Sequence, residues 1–418
     1  MKSPLDLDFC PIVRQPGSQP LVIGLEREGG RLSRFETTVA PDALRYVERL
    51  VKFLLWARGG WRLYLSGPRA LCERVRVPDF DRELMGRVYE RQFEIVVTDT
   101  VPPAKELAGP IGGHLNGCRL GFDLGASDFK IAAVKNGEVL YSDEFPWNPK
   151  DQPEPEYHFD RLNAGLKKAA GFLPRVDAIG GSTAGVVVDN KIMVASLFRS
   201  VPAEKFADAK NIFLRLRDEW RVPLEVANDG DVTALAGALS LGVTGVLGVA
   251  MGSSEAAGYI DRQGRMTGWL NELAFAPVDD NPAAPADEWS GDRGVGALYF
   301  SQQAVNKLLP AAGISLAETG LPERLKAVQA LMAQGDARAA KIYETIGVYL
   351  GYAIPHYREF YDFDHLLVLG RVMTGRGGDL ILNTARNVLG SSQIQIHVPD
   401  EKTKRVGQAV AAASLPAL

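Results

Sequence analysis

The sequence predicts an α/β protein of more than one domain. Apolar runs of strand length alternate with stretches whose apolar residues recur at helical spacing. Two segments, 118–142 and 245–260, each read as a strand, a turn of small residues and a return strand. The length, 418 residues, suits two or three domains with real cores. At 46% hydrophobic and 23% charged the chain has a globular composition. Its net charge of −4 gives no general attraction to nucleic acid or anionic membrane. No apolar run reaches transmembrane length, and the start MKSPLDLDF lacks a basic-then-apolar signal pattern. Cys10, Cys72 and Cys118 form neither a metal-ligand spacing nor a disulfide framework. A cytoplasmic location is therefore expected.

Residues 1–20 are Pro-rich and read as a loosely ordered arm. Leu21 to Thr38 reads as a hairpin turning at Gly29-Gly30. A helix follows to Ala57, with Leu44, Val47, Leu50, Val51, Leu54 and Leu55 at helical spacing. A strand at 62–65, a helix at 79–91 and a strand at 93–98 complete a small α/β extension. Pro102, Pro103, Gly109, Gly112 and Gly113 form a linker. Residues 1–118 hold 17 Lys and Arg against 15 Asp and Glu, a dispersed net of +2. Strands interrupt any helix-turn-helix, so a structural or regulatory module is expected rather than a DNA reader. The order of hairpin, helix, strand and Ser-Gly-Pro loosely echoes residues 120–185, as a shortened copy would.

In the next stretch Leu120 and Phe122 alternate with smaller residues, and Asp123 falls where the strand ends. Gly125 and Ala126 keep side chains out of the turn, so amides there can face an anion. A carboxylate beside such a turn suits a Mg²⁺–phosphate group, although an ordinary hairpin has the same pattern. Asn136-Gly137 is a type I′ turn. A helix at 159–172 leads to the strand 176–185, whose small residues let a ligand approach the backbone. Another hairpin at 186–194 and a helical stretch at 203–220 precede the strand 224–227. Asn228, Asp229 and Asp231 then cluster at a helix N-terminus. One of them suffices as a cap, and the rest need other partners.

The strand 245–251 runs into Gly252-Ser253-Ser254-Glu255, a second bare turn with hydroxyls. Glu272 follows in an apolar setting, where a carboxylate requires a partner. Helices are expected at 296–308, 321–332, 336–360 and 378–389. The strand 365–369 ends at Gly370, where the absence of a side chain could admit a flat base. The tail from 405 to 414 reads as a small-residue helix.

Taken together these units resemble the ROK family of sugar kinases and repressors, within the actin–hexokinase–chaperone ATPase superfamily. The likeness spans about 118–416. Phe122-Asp-Leu-Gly-Ala-Ser127 resembles the first phosphate motif, and Gly180-Gly-Ser-Thr-Ala-Gly185 the sugar-lobe strand. Val226-Ala-Asn-Asp229 resembles the motif of the catalytic aspartate, and Met251-Gly-Ser-Ser254 the second phosphate motif. Asn271-Glu-Leu-Ala-Phe275 resembles the sugar-binding motif. Leu369-Gly370 resembles the adenosine motif, and Gly407 to Ala411 the closing helix. The resemblance implies two ribonuclease-H-like lobes of the actin-like ATPase fold, with a cleft between them. The first lobe is 118–242, completed by the helix 402–418. The second is 243–401, and 1–117 is an extension.

The resemblance also implies roles. Asp229 is the general base and Asp123 the Mg²⁺ ligand, directly or through water. Ser182, Asn228, Asp229 and Glu272 hold sugar. Gly125, Ser127, Lys130, Gly252, Ser253, Ser254, Gly370 and Arg371 hold the nucleotide and its phosphates. The partners expected are ATP, Mg²⁺ and a hexose or hexose derivative, with no nucleic acid and no membrane, in a homo-oligomer, a dimer. The departures are specific. Phe275 replaces a zinc-binding His, and 276–295 contain no Cys, so no structural zinc is expected. Ala297 stands where a sugar-contacting Glu is usual. Glu255 brings a carboxylate to the second phosphate loop, where it would repel phosphate. An ATP-dependent sugar kinase is the leading reading. A sugar-sensing regulator without phosphoryl transfer is the alternative.

Overall fold

The structure is a computed structural model and describes residues 1–106, 112–399 and 401–418, with the side chains of 401–406 left aside. Gly109 of the expected linker lies outside the described residues. The chain divides into two compact units. One comprises Met1–Glu106, Val249–Ala257 and Gly268–Val398; the other comprises Leu107–Gly248, Gly258–Thr267 and Pro399–Leu418. Among the described residues no helix is long and apolar enough to cross a membrane.

The chain opens with β1 (Gln19–Glu26), β2 (Leu32–Val39), α1 (Leu44–Arg58), β3 (Arg62–Ser66), α2 (Arg69–Cys72), α3 (Asp79–Tyr89) and β4 (Glu94–Val97). The sheet order is β2-β1-β3-β4. Gly29 and Gly30 take positive φ at the β1–β2 turn, as the glycine pair predicts. Helix α1 buries Val47, Leu50, Val51, Leu54 and Leu55, five of the six residues its spacing picked out; Leu44, in the first turn, is half-buried. The arm ahead of β1 is docked rather than loose. Phe9 packs on Tyr349 at 4.6 Å, Asp6 accepts from the Tyr349 hydroxyl, and Lys307 pairs with Asp6 at 3.3 Å. Isolated aromatic and charged anchors of this kind leave no periodic signal in a Pro-rich stretch.

The other unit is built on β5 (Cys118–Leu124), β6 (Asp128–Lys135), β7 (Glu138–Pro146), α4 (Pro155–Ala170), β8 (Ala178–Thr183), β9 (Val186–Val188), β10 (Lys191–Val194), α5 (Phe206–Lys210), α6 (Ile212–Trp220), β11 (Leu224–Asn228) and α7 (Asp229–Leu241). Its five-stranded sheet has the order β11-β8-β5-β6-β7. Strands β5, β6 and β7 form an antiparallel meander, and β8 and β11 run parallel to β5. Both positions of the Asn136-Gly137 turn have positive φ, as do both of Asp189-Asn190. That is the type I′ conformation. The N-terminal unit is not a copy of this one, because β3 runs antiparallel to β1 whereas β8 runs parallel to β5.

The remaining elements are β12 (Val246–Met251), β13 (Glu255–Ile260), α8 (Gln302–Leu308), α9 (Leu321–Ala333), α10 (Ala337–Arg358), β14 (His365–Leu369), α11 (Gly375–Leu389), β15 (Gln395–His397) and α12 (Glu401–Ala413). Strands β12 to β15 form a sheet of order β13-β12-β14-β15. Helix α10 buries Ile342, Ile346, Leu350, Ala353 and Ile354, as expected from their spacing.

The two faces of the five-stranded sheet are filled differently. Leu120, Phe122, Phe129, Ile131, Phe159, Leu166 and Phe213 form the core on one side. Ala132, Val134, Ala409 and Ala413 meet on the other, where α12 lies against the strands. Gly121 and Gly180 are cross-strand neighbours. A Cβ on Gly121 would stand 1.8 Å from the Ala409 carbonyl oxygen, and one on Gly180 1.7 Å from that of Ala412. The helix backbone therefore rests on bare strand backbone. Gly180→Ala is expected to push α12 outward and lower stability by about 1–3 kcal/mol, read from urea midpoints. An unchanged midpoint would mean that this contact is not close.

Candidate active site

Strands β11, β8 and β5 are parallel, so their carboxyl ends lie at one edge of the sheet. Open α/β sheets bind ligands at such edges. One cross-strand row there runs Ala227–Ser182–Asp123–Lys130. Asp123 is 6% exposed, and Ser182 is fully buried. The Ser182 hydroxyl donates to Asp123 Oδ1 at 2.7 Å, and Lys130 Nζ lies 3.9 Å from Asp123 Oδ2. Burial raises the Asp123 carboxyl above the usual aspartate value, while Ser182 and Lys130 pull it back.

Asp229 follows β11 directly. Burial, and then the neighbouring Asp123 charge, push its carboxyl up to about 6. The cap of α7 is Asn228, not Asp229. Asn228 Oδ1 accepts from the Gly230 amide at 2.7 Å, and its Nδ2 donates to the Gly185 carbonyl at 2.8 Å. Asp231 is buried and accepts from the Tyr259 amide at 3.1 Å. The three polar residues thus divide the work: Asn228 and Asp231 tie elements together, and Asp229 supplies a carboxyl beside Asp123.

The bare turn after β5 is more committed than its sequence implied. The Gly125 amide donates to the Asp128 carbonyl at 2.9 Å, and its carbonyl accepts from Trp147 Nε1. The Ser127 hydroxyl donates to Asp128 Oδ2 at 2.8 Å. Lys130 Nζ sits 3.6 Å from Asp128 Oδ1, so Asp128 is a site residue that sequence reasoning passed over. It follows the motif and gave no pattern of its own.

The remaining candidates lie in the unit that contains α1. The Gly252 amide closes its own turn onto the Ser254 carbonyl at 3.0 Å, and Ser253 and Ser254 are exposed. Gly370 has φ +106°, and a Cβ there would stand 2.4 Å from the Met251 carbonyl oxygen. The glycine is required by that close approach. Arg371 is exposed, and its carbonyl accepts from Gln329. Glu272 is half-buried and its amide donates to the Trp56 carbonyl at 3.0 Å. Asn271 takes φ +52°, and its Oδ1 accepts from the Tyr361 hydroxyl at 3.0 Å.

Glu255 does not present its charge at the loop surface. It is 3% exposed, and Tyr357 donates to its Oε1 at 3.4 Å. Oε2 has no hydrogen-bond partner, and it lies 2.0 Å from where a Cβ on Gly296 would be. Burial, and secondarily the Glu272 charge, raise this carboxyl to about 8. A neutral acid removes the repulsion that its sequence position implied. The residues at 275–297 do not fit a zinc centre. Phe275 packs between Trp56 and Trp289, at 4.5 and 5.1 Å, and no Cys follows in the loop. Among the described residues no three or more of His, Cys, Asp and Glu are grouped so as to hold a metal ion.

The folded Glu255 binds its proton more tightly than the unfolded chain does. The stability it contributes is whole below the ordinary glutamate value and is lost as pH rises through about 8. Wild-type urea midpoints should fall between about pH 5 and 9, and those of Glu255→Gln should fall less. Parallel pH slopes in the two proteins would show Glu255 to be ionised.

No family model and no curated protein matches this chain. Solved structures do. A ROK hexokinase from Thermus thermophilus is 18% identical, over 71% of this chain and 97% of its own, with a TM-score of 0.55. A ROK family transcriptional regulator, a homologue of the E. coli MLC protein, is 19% identical, over 72% of this chain and 78% of its own, with a TM-score of 0.55. A ROK family glucokinase from Streptomyces griseus, in complex with glucose and AMPPNP, is 19% identical, over 72% of this chain and 99% of its own, with a TM-score of 0.51. At these identities the likeness is one of fold. The chain is built on the actin-like ATPase fold of those ROK hexokinases, glucokinases and regulators.

Proposed function

We propose that this chain is a ROK-type carbohydrate kinase, transferring the γ-phosphoryl group of ATP to a hydroxyl of a hexose or hexose derivative. The observation that carries this reading is the neighbouring pair at the carboxyl edge of the sheet, Asp123 buried and Asp229 half-buried, with the Asp229 value at about 6. A carboxylate poised there is ionised at neutral pH and still basic enough to draw a proton from an attacking hydroxyl. An aspartate at its ordinary value would be a weaker base. Asp229 would take the proton as the hydroxyl oxygen attacks the γ-phosphorus, and the bond from that phosphorus to the β-bridging oxygen would break, releasing ADP.

Asp123 offers a hard oxygen suited to Mg²⁺, directly or through water, and the ion would neutralise charge on the phosphates. Ser182 and Lys130 orient Asp123 for that role. Glu272 has a hydroxyl-matching group for the sugar, whereas the Ser182 hydroxyl is spent on Asp123 and the Asn228 amide on Gly230 and Gly185. Ser127 and Lys130 are assigned to phosphate, as are Ser253 and Ser254, while the Gly125 and Gly252 amides close their own turns instead. Gly370 and Arg371 are assigned to the adenosine. The Streptomyces griseus glucokinase complexed with glucose and AMPPNP supports this ligand class. A sensor without phosphoryl transfer is the second reading. It is favoured by the Gly125 and Gly252 amides, which are spent on their own turns, and by the transcriptional regulator among the fold relatives.

A coupled assay of ATP turnover over hexoses and amino-hexoses tests the proposal. The expected outcome is sugar-dependent turnover, with kcat/KM falling as pH drops below about 6 because the base must be ionised. Asp229→Asn should lower kcat about 10²–10⁴-fold. Full turnover in that variant removes the base assignment. Calorimetric sugar binding without turnover favours the sensor.

A further inference from the structure

Helix α1 carries Arg45, Arg49, Lys52 and Trp56 at spacings of four, three and four residues. That spacing puts them on a single face. Each reaches the segment 271–293. Arg45 Nε donates to Asp280 at 3.0 Å. Arg49 donates to the carbonyls of Asp279 and Arg293 at 2.7 and 2.9 Å. Lys52 bridges Asp81, at 2.8 Å, and Asp292. Trp56 is fully buried and its ring meets Phe275. The C-terminal end of the same helix accepts the next contacts. The last carbonyls of a helix lack intrahelical partners. Here those of Trp56 and Ala57 accept from the amides of Glu272 and Asn271, at 3.0 and 2.9 Å.

From this we infer that α1 is the positioning element for Glu272, fastening the segment that carries it by a stripe of cations and a buried indole. The inference rests on the reading of Glu272 as a sugar-binding residue. It gives the N-terminal extension a role in substrate binding. A segment unable to hold zinc is instead held by complementary charge: three cations on the helix face a loop containing Asp279, Asp280 and Asp292. The Asn271 backbone, at φ +52°, is otherwise disfavoured for a non-glycine residue. Its two-sided fastening, to Ala57 and to Tyr361, is what fixes the direction of the adjoining Glu272.

The test uses the full chain and the variants Arg49→Ala and Asp292→Asn. The first removes clamps on two loop carbonyls. The second removes the loop charge that faces Lys52 and leaves the Lys52–Asp81 pair intact. Hydrogen exchange over 268–293 should quicken about tenfold in both variants, including at the amides of Asn271 and Glu272. The KM for the preferred hexose should rise about 10- to 100-fold, with kcat and the KM for ATP unchanged. Wild-type exchange in both variants overturns the fastening. Faster exchange with an unchanged hexose KM overturns the positioning role. A wild-type protein that turns over no hexose sinks the kinase reading instead. Exchange, with calorimetric glucose affinity, then decides the inference by itself: quickened exchange and weakened glucose binding support it, and either one unmoved overturns it.

Discussion

Two neighbouring carboxyl groups at one sheet edge, Asp123 buried and Asp229 half-buried, are the constraint on which the rest of the candidate site depends. Loss of solvent raises both, and the Asp123 charge raises Asp229 further. Such a pair persists only if its surroundings compensate. Ser182 supplies a hydrogen bond from the next parallel strand, and Lys130 a positive charge from the antiparallel one. Both positions are dictated by register, since they are the cross-strand neighbours of Asp123. Asp229 has no such row partner. It stands beyond the end of β11, where α7 begins, and Asn228 takes the capping duty that an aspartate there would normally perform. Asp123 thus has a hydroxyl and an ammonium that draw its raised value back, while Asp229 is pushed up to about 6.

That edge is held in register by contacts remote in sequence. The glycines at 121 and 180 admit the backbone of α12 onto the sheet face that also bears Asp123. Arg119, fully buried on the same face, donates to the carbonyls of Ala413 and Pro416. Gln408 reaches Thr233 on α7 at 2.6 Å. The tail is therefore part of the structure that fixes the strand carrying Asp123 and the helix beginning at Asp229.

Much of this was legible in the sequence because it follows from period and turn chemistry. Strand ends, the type I′ turn at Asn136-Gly137 and most of the buried faces of α1 and α10 depend on nearby residues, and those were read correctly. The direction of a donor was not legible. A glycine turn announces an exposed amide, yet Gly125 and Gly252 both use theirs to close the turn. Nor was the orientation of Glu255 readable, because a carboxylate after Ser254 looks solvent-facing until Tyr357, some hundred residues on, is seen to bond it. The docked arm at 1–18 failed for the same reason. Its partners, Tyr349 and Lys307, lie far along the chain. The basic stripe of α1 was not read from the sequence, because Arg45, Arg49 and Lys52 look like a solvated helix face until the segment opposite is seen.

The two ways of holding a loop differ in what they require of the chain. A metal centre is local: its ligands sit close in sequence and the ion supplies the energy of closure. The arrangement around Phe275 is non-local, joining α1 to residues more than two hundred positions later. The buried Lys52 and Asp81 hold each other, because losing either would leave a charge uncompensated in a low-dielectric interior, and Asp292 ties the later loop to that pair. Likewise the buried indole of Trp56 has its hydrogen-bond need met by Asp81, which also binds Lys52. Folding of 271–293 is thereby coupled to folding of the N-terminal sheet and helix. This accounts for their sharing one compact unit although the sequence between them forms most of another.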